Sequence, residues 1–158
     1  MTAVQLRSPG PDDFDVWFSL YRQYCHFYDT ELTDAGSRTV WDWLQNPHHV
    51  LEGLLAVISE SDVVGLCHFR PAPEPLAGNY VGFLDDLFVA PEARRHGVGS
   101  TLLRRVIDIS AEREWAGVQW LTAADNADAR HLYDQVAKAT SWVTYEVDLP
   151  TDATTKNA

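Results

Sequence analysis

The stretch Leu84–Leu103, LDDLFVAPEARRHGVGSTLL, constrains this chain more than any other. An apolar run carrying the adjacent acids Asp85 and Asp86 ends at Pro91. A helical pattern then starts near Gly97, with Val98, Leu102, Val106 and Ile109 at spacings of four and three. Arg94 and Arg95 lie between the two, and Gly97 and Gly99 open the helix. A helix start leaves backbone N–H groups unpaired at the positive end of its dipole. Glycines let a ligand reach that backbone with no Cβ in the way. Strand, proline, basic pair, glycine turn and helix, in this order, predict an anion cradle, and a diphosphate is the ligand it suits.

The rest of the chain supplies a frame for that segment. Ala3–Arg7 alternates weakly as a first strand, Pro9-Gly10-Pro11 breaks it, and Asp12 or Asp13 can cap the next element. Phe14, Trp17, Phe18, Tyr21, Cys25 and Tyr28 then share one helical face. Asp29–Thr33 reads as a loop, and Val40, Trp41, Trp43 and Leu44 as a short second helix that stops before Pro47. Val50–Ser59 and Val63–Arg70 form an expected hairpin about Glu60-Ser61-Asp62. Pro71–Gly78, with three prolines and one glycine, reads as a loop, and Tyr80–Val89 as a central strand. Val118–Thr122 is expected to be a short strand, Asn126–Lys138 a helix and Trp142–Leu149 a last, alternating strand. An antiparallel run followed by a strand–helix–strand crossover predicts an α/β fold: a mixed, largely antiparallel sheet flanked by helices. Residues 1–150 are read as one domain, followed by the polar tail Thr151–Ala158, whose composition reads as disordered.

A chain of 158 residues can bury roughly 68–70% of its unfolded surface, so it needs no metal or disulfide to hold a core. Cys25 and Cys67 cannot build a disulfide framework and read as packing residues. The histidines His26, His48, His49, His68, His96 and His131 show no metal-ligand spacing, so no metal is expected. A net charge of −11 would repel a nucleic acid backbone and suits a cationic amine better, besides serving solubility. No apolar run is long enough to span a bilayer, so no membrane association is expected, and the N-terminus carries no export signal. A cytoplasmic location is the expectation.

The turn Arg94-x-x-Gly97-x-Gly99 after a strand resembles the acetyl-CoA loop of the GNAT superfamily of N-acetyltransferases. Leu84–Val89 followed by Pro91-Glu92 resembles the family's fourth strand. Leu121–Asn126 and Ala129–Tyr133 resemble its next strand and the helix that carries an Asn and a Tyr. The combination is most similar to the histone-and-polyamine acetyltransferase branch, from which it departs at Arg95, where that branch commonly has Gly. The resemblance implies a GNAT-like sheet with acetyl-CoA as cosubstrate and a homodimer. It implies that the backbone amides of Arg95, His96, Gly97, Val98, Gly99 and Ser100 wrap the pyrophosphate while Arg94 supports the loop. It further implies that the backbone of Leu87, Phe88 and Val89 bonds the pantetheine like an added strand. Asn126 would face the cofactor arm, and Tyr133 would stand beside the thioester sulfur.

Amine acetylation needs a neutral amine, and deprotonating an alkyl amine at pH 7 costs about 4.6 kcal/mol. A carboxylate that takes the proton, directly or through water, offsets part of this cost. Asp85 and Asp86 are adjacent on a strand, so alternation predicts opposite faces and only one in the site. The family's acidic position favours Asp85 as catalytic, with Asp86 binding the acceptor. The residues alone also allow one of the pair to be a solvated edge charge and the other to cap a bulge. Tyr133 can donate to the leaving thiolate, although beside Leu132 and Val136 it suits packing equally. Tyr21, Tyr24, Tyr28, Asp29 and Glu31 combine aromatic faces with acids, a lining suited to a cation or, for the aromatic ones, to plain burial. No Ser or Cys nucleophile has a supporting motif, so direct transfer to a primary amine, small or polyamine, is expected. The rivals are a protein Lys or N-terminus as acceptor, and a non-catalytic acyl-CoA-binding module.

Overall fold

The computed structural model describes residues 4–59 and 62–149. Glu60 and Ser61 of the expected turn, Ala3 of the expected first strand and the tail Thr151–Ala158 lie outside the described residues. Residues 1–126 make one compact unit and residues 127–158 a second.

The first unit is a five-stranded sheet in the order β1 (Gln5–Arg7), β2 (Glu52–Ser59), β3 (Asp62–Glu74), β4 (Asn79–Val89) and β5 (Val118–Trp120). Neighbours are antiparallel except β4 and β5, which are parallel and are joined through a helix. This is the expected mixed, mostly antiparallel α/β sheet. Helix α1 (Phe14–Phe27) and helix α2 (Asp34–Gln45) cover one face and α3 (Val98–Glu112) the other. Adjacent Gly65 and Leu66 show the division, because neighbours in a strand point to opposite sides. Leu66 joins Trp17, Leu20, Trp41, Leu55 and Phe88 in the cluster under α1 and α2. Gly65 lies against Val98 and Leu102 of α3, so closely that a Cβ would stand 2.9 Å from the Phe88 carbonyl oxygen. Among the described residues no helix is long and apolar enough to cross a membrane.

Several elements differ from their expected bounds. Helix α2 begins six residues before Val40, because Thr33 caps it by accepting from the Gly36 N–H at 3.0 Å. Its first turn is polar and shows no apolar periodicity. Strand β3 continues through Pro71 and Pro73, which pair in register with Gly82 and Tyr80 of β4. Pairing with β2 ends at Phe69, so beyond it β3 has an open side where a missing N–H costs nothing. Asp13 stands at the N-cap of α1, but its side chain makes no capping bond to that helix. Its carboxylate accepts from the Gly10 N–H at 2.7 Å and pairs with Arg7, which holds it below the usual carboxylate range.

In the second unit, helix α4 (Ala127–Tyr133) is shorter than expected, since the chain turns after Tyr133. Trp142–Leu149 is not a strand. Alternation makes a strand only when a neighbour takes up its N–H and C=O groups, and among the described residues none pairs with this segment. Trp142, Tyr145 and Val147 are accordingly exposed.

Gly82 fixes how closely α3 approaches β4, because a Cβ there would fall 2.4 Å from Ser110 Oγ and 3.2 Å from the Trp115 ring. Gly82→Ala is expected to cost about 2 kcal/mol by overpacking, a loss of roughly 4–8 °C in Tm by calorimetry.

Candidate active site

Strand β4 carries one residue more than its partner. His68 pairs with Asp86 but Phe69 pairs with Leu84, so Asp85 is an unpaired, bulged residue. Before the bulge the even-numbered residues face α3: a Cβ on Gly82 would meet Ser110. After it the even-numbered residues face α1, where Phe88 joins the core cluster. Asp85 and Asp86 therefore do not point to opposite faces as simple alternation predicts. Asp86 pairs with His68 at 2.7 Å and Asp85 accepts from Arg70 Nε at 3.2 Å. His68 and Arg70 are two residues apart on β3 and share a face, so both carboxylates lie on the α1 side.

Their surroundings separate the two acids. Half-burial pushes the Asp85 carboxyl above its ordinary value, against the opposing pull of Arg70. Asp85 Oδ2 lies 3.1 Å from Arg70 Nε without hydrogen-bond alignment, and among the described residues it is buried with no hydrogen-bond partner. Arg70 is itself held over the Phe83 ring at 4.9 Å. Asp86 is anchored by His68, whose Nε2 accepts from Trp17 Nε1 at 2.9 Å. Tyr21 and Tyr24 of α1 stack at 5.9 Å. Their phenols are pushed well up by burial and then by the charge of Asp86, so both hydroxyls stay protonated. Burial also lifts the Cys67 thiol to about 12, which leaves it unreactive. Among the described residues no group of three His, Cys, Asp or Glu is placed to hold a metal ion.

The cradle forms as the local chemistry dictates. After Val89 the chain makes a 3-10 turn at Pro91–Ala93 and enters α3 through Gly97 at φ 80°, in the left-handed region that glycine favours. Among the described residues, none of the backbone N–H groups from Arg95 to Ser100 has a hydrogen-bond partner. The next, on Thr101, closes the first helical turn on the Gly97 carbonyl at 2.9 Å. Nothing lies within 4 Å of where a Gly97 Cβ would stand, so this backbone is open. Arg94 ties the loop down, donating from Nε to the Val89 carbonyl at 3.0 Å with its guanidinium over Phe88. Arg95 sits at φ 63°, a conformation that costs a side-chain-bearing residue roughly 1–2 kcal/mol. A glycine there would avoid that cost. Beside the cradle, β5 pairs with β4 only from Gly82 to Leu84. The edge of β4 from Asp85 to Val89 is thus left without a strand neighbour among the described residues. Unpaired N–H groups next to an open strand edge can hold a phosphorylated tail and an amide-bearing arm. Phe88 and Val98 are buried and offer only backbone to such a ligand.

The structure brings Asp85, Asp86, Tyr21 and Tyr24 together. Tyr28 Oη accepts from Asn126 Nδ2 at 3.3 Å, and the same nitrogen reaches Thr122 Oγ1 at 3.3 Å. Asp29 and Glu31 stay in the exposed turn after α1. Tyr133 is the half-buried last residue of α4 in the second unit. Sequence reading missed His68, Arg70 and Trp17. Only the position of His68 and Arg70 on a strand expected to neighbour Asp85 and Asp86 could have signalled the first two.

The sequence matches the profile of the acetyltransferase (GNAT) family over residues 17–137. It is 30% identical over 144 residues to the D-amino-acid N-acetyltransferase of Saccharomyces cerevisiae, spanning 90% of this chain and 89% of that protein. It is 27% identical over 103 residues to the thialysine N-epsilon-acetyltransferase of Caenorhabditis elegans, over 62% of this chain and 63% of that one. Among solved structures, the fold superposes with a TM-score of 0.75 on a ribosomal-protein-alanine N-acetyltransferase from Brucella melitensis biovar Abortus 2308, at 24% identity over 93% of this chain and 100% of that one. An aminoglycoside N-acetyltransferase in complex with CoA gives 0.78 at 15% identity, over 94% of this chain and 96% of that one.

The raised Asp85 carboxyl carries a stability consequence. Its native form binds a proton more tightly than the unfolded chain does, so the ionised group costs stability above its folded pKa. That cost vanishes as the pH falls below the ordinary carboxylate range. Asp85→Asn is therefore expected to raise Tm at pH 7, with the gap to wild type closing in a pH series run down to about 3.

Proposed function

Since the chain belongs to the acetyltransferase (GNAT) family and is an acetyl-CoA-dependent N-acetyltransferase, we propose that it transfers the acetyl group directly to a small primary amine. The observation that carries this reading is the pair Asp85 and Asp86, brought by the bulge to one face beside Tyr21 and Tyr24. Two carboxylates backed by aromatic rings suit an ammonium group, and one of them can then take its proton. Asp85 would be that base. A carboxyl lifted by burial lies closer in pKa to an amine, so it accepts the proton at lower cost. Asp86 would hold the amine, with Tyr21, Tyr24, Tyr28, Asp29 and Glu31 bounding the acceptor.

Backbone N–H groups from Arg95 to Ser100 would bind the pyrophosphate of acetyl-CoA, and the open edge at Leu87–Val89 its pantetheine arm. Asn126 would orient that arm. Tyr133 would donate its hydroxyl proton, or a hydrogen bond, to the departing thiolate. A polyamine is one acceptor this acidic chain suits, and the names of the thialysine and D-amino-acid relatives support a small amine. The same reading makes the enzyme a homodimer, supported by the exposed apolar alternation of Trp142–Leu149.

Acetyl-CoA at about a hundred times its Kd should stabilise the protein by about 2.7 kcal/mol in a thermal-shift assay. Against an amine panel, Asp85→Asn and Tyr133→Phe are each expected to lower kcat by about 10²–10⁴-fold, with acetyl-CoA affinity retained. Binding of acetyl-CoA without turnover of any amine, or full rates in both variants, would refute the assignment.

A further inference from the structure

We propose that His68, locked by Trp17, is a positioning residue for the acetyl transfer: it fixes the Asp86 carboxylate beside Tyr21 and Tyr24, where it meets the amine. This rests on the amine-acetylation reading above. An indole N–H can only donate, so the 2.9 Å contact makes His68 Nε2 an acceptor. The proton of the neutral ring then sits on Nδ1, which donates to Asp86 Oδ2 at 2.7 Å.

The chain of contacts crosses three elements, α1, β3 and β4, and its inner members are closed to water: Trp17 is 0% and His68 1% exposed. The His68 ring is wedged against Tyr21, edge-on at 5.0 Å, and against Trp17 at 6.0 Å. An apolar residue of similar volume would fill this position in an aromatic cluster without needing any polar partner. The polar chain therefore serves Asp86 rather than the core.

Its effect on Asp86 is specific. With Nε2 taken up by the indole N–H, the ring's donor is directed along Nδ1 at Asp86. Asp86 receives hydrogen bonds from His68 and from the Tyr21 and Tyr24 hydroxyls, and among the described residues no Lys or Arg pairs with it. The other groups around the pair are Tyr21, Tyr24 and Cys25 from α1, Cys67 and Arg70 from β3, and Asp85 on β4. Among these the one cation, Arg70, is engaged by Asp85. The reaction thus gains two acids of different kinds: Asp85, which takes the proton, and Asp86, which is held in place for the amine.

The test uses the full-length enzyme, acetyl-CoA and an amine that the wild type acetylates. His68→Gln keeps an acceptor for the indole and a donor for Asp86, and should hold kcat/KM for the amine within roughly threefold. His68→Leu should lower it about 10–100-fold with the KM for acetyl-CoA unchanged. Nitrogen-15 NMR of the wild type at pH 7 should show His68 protonated on Nδ1 and bare on Nε2. Equal rates in the Gln and Leu variants, losses that merely follow Tm, or the opposite tautomer would overturn the proposal while leaving amine acetylation intact. Turnover of no amine by the wild type would overturn both.

Discussion

The bulge at Asp85 is the constraint on which the candidate site depends. A regular β4 would send its two acids to opposite sides of the sheet, one beneath α1 and one beneath α3. The unpaired residue shifts the register against β3 between His68 and Phe69, and both carboxylates then emerge beneath α1. The same shift puts Phe88 into the core with Trp17 and Leu66. The strand can thus seal the hydrophobic cluster and present acids within a few residues. Arg70 and His68, on the same face of β3, become the partners of those acids for the same reason.

Beyond the bulge, β4 parts from β5, and the paired acids and an open edge come to share one strand. Its α1 face holds the acids, and its unpaired edge leads to the N–H groups at the start of α3. Electrostatics agrees with this division. The chain as a whole is strongly acidic, yet Arg94 and Arg95 flank the cradle, where a pyrophosphate would otherwise be repelled. Arg94 also braces the loop through the Val89 carbonyl, so one side chain links the strand edge to the cradle.

What the sequence disclosed was local. Arg94, Gly97 and Gly99 lie within six residues of one another, and the chemistry of a helix start needs nothing from farther away. The cradle was therefore legible, as were α1, α3 and the β2–β3–β4 meander, whose periodicities are strong. The bulge was not, because an extra residue exists only relative to a partner strand, and register is a property of pairs. The Trp17–His68–Asp86 contact was hidden for the same reason: 51 residues separate the first two along the chain. Helix α2 began earlier than its apolar residues suggested because Thr33 and a polar turn open it. The alternation of Trp142–Leu149 promised a strand, but alternation describes only a capacity to pair.

The left-handed Arg95 has a meaning beyond its local cost. The Arg95 side chain is exposed to solvent beside the cradle. On the proposed reading, the loop would trade some intrinsic stability for a cationic gatepost beside a pyrophosphate. Incoming polyanions would be drawn in there despite the repulsion of the surrounding surface.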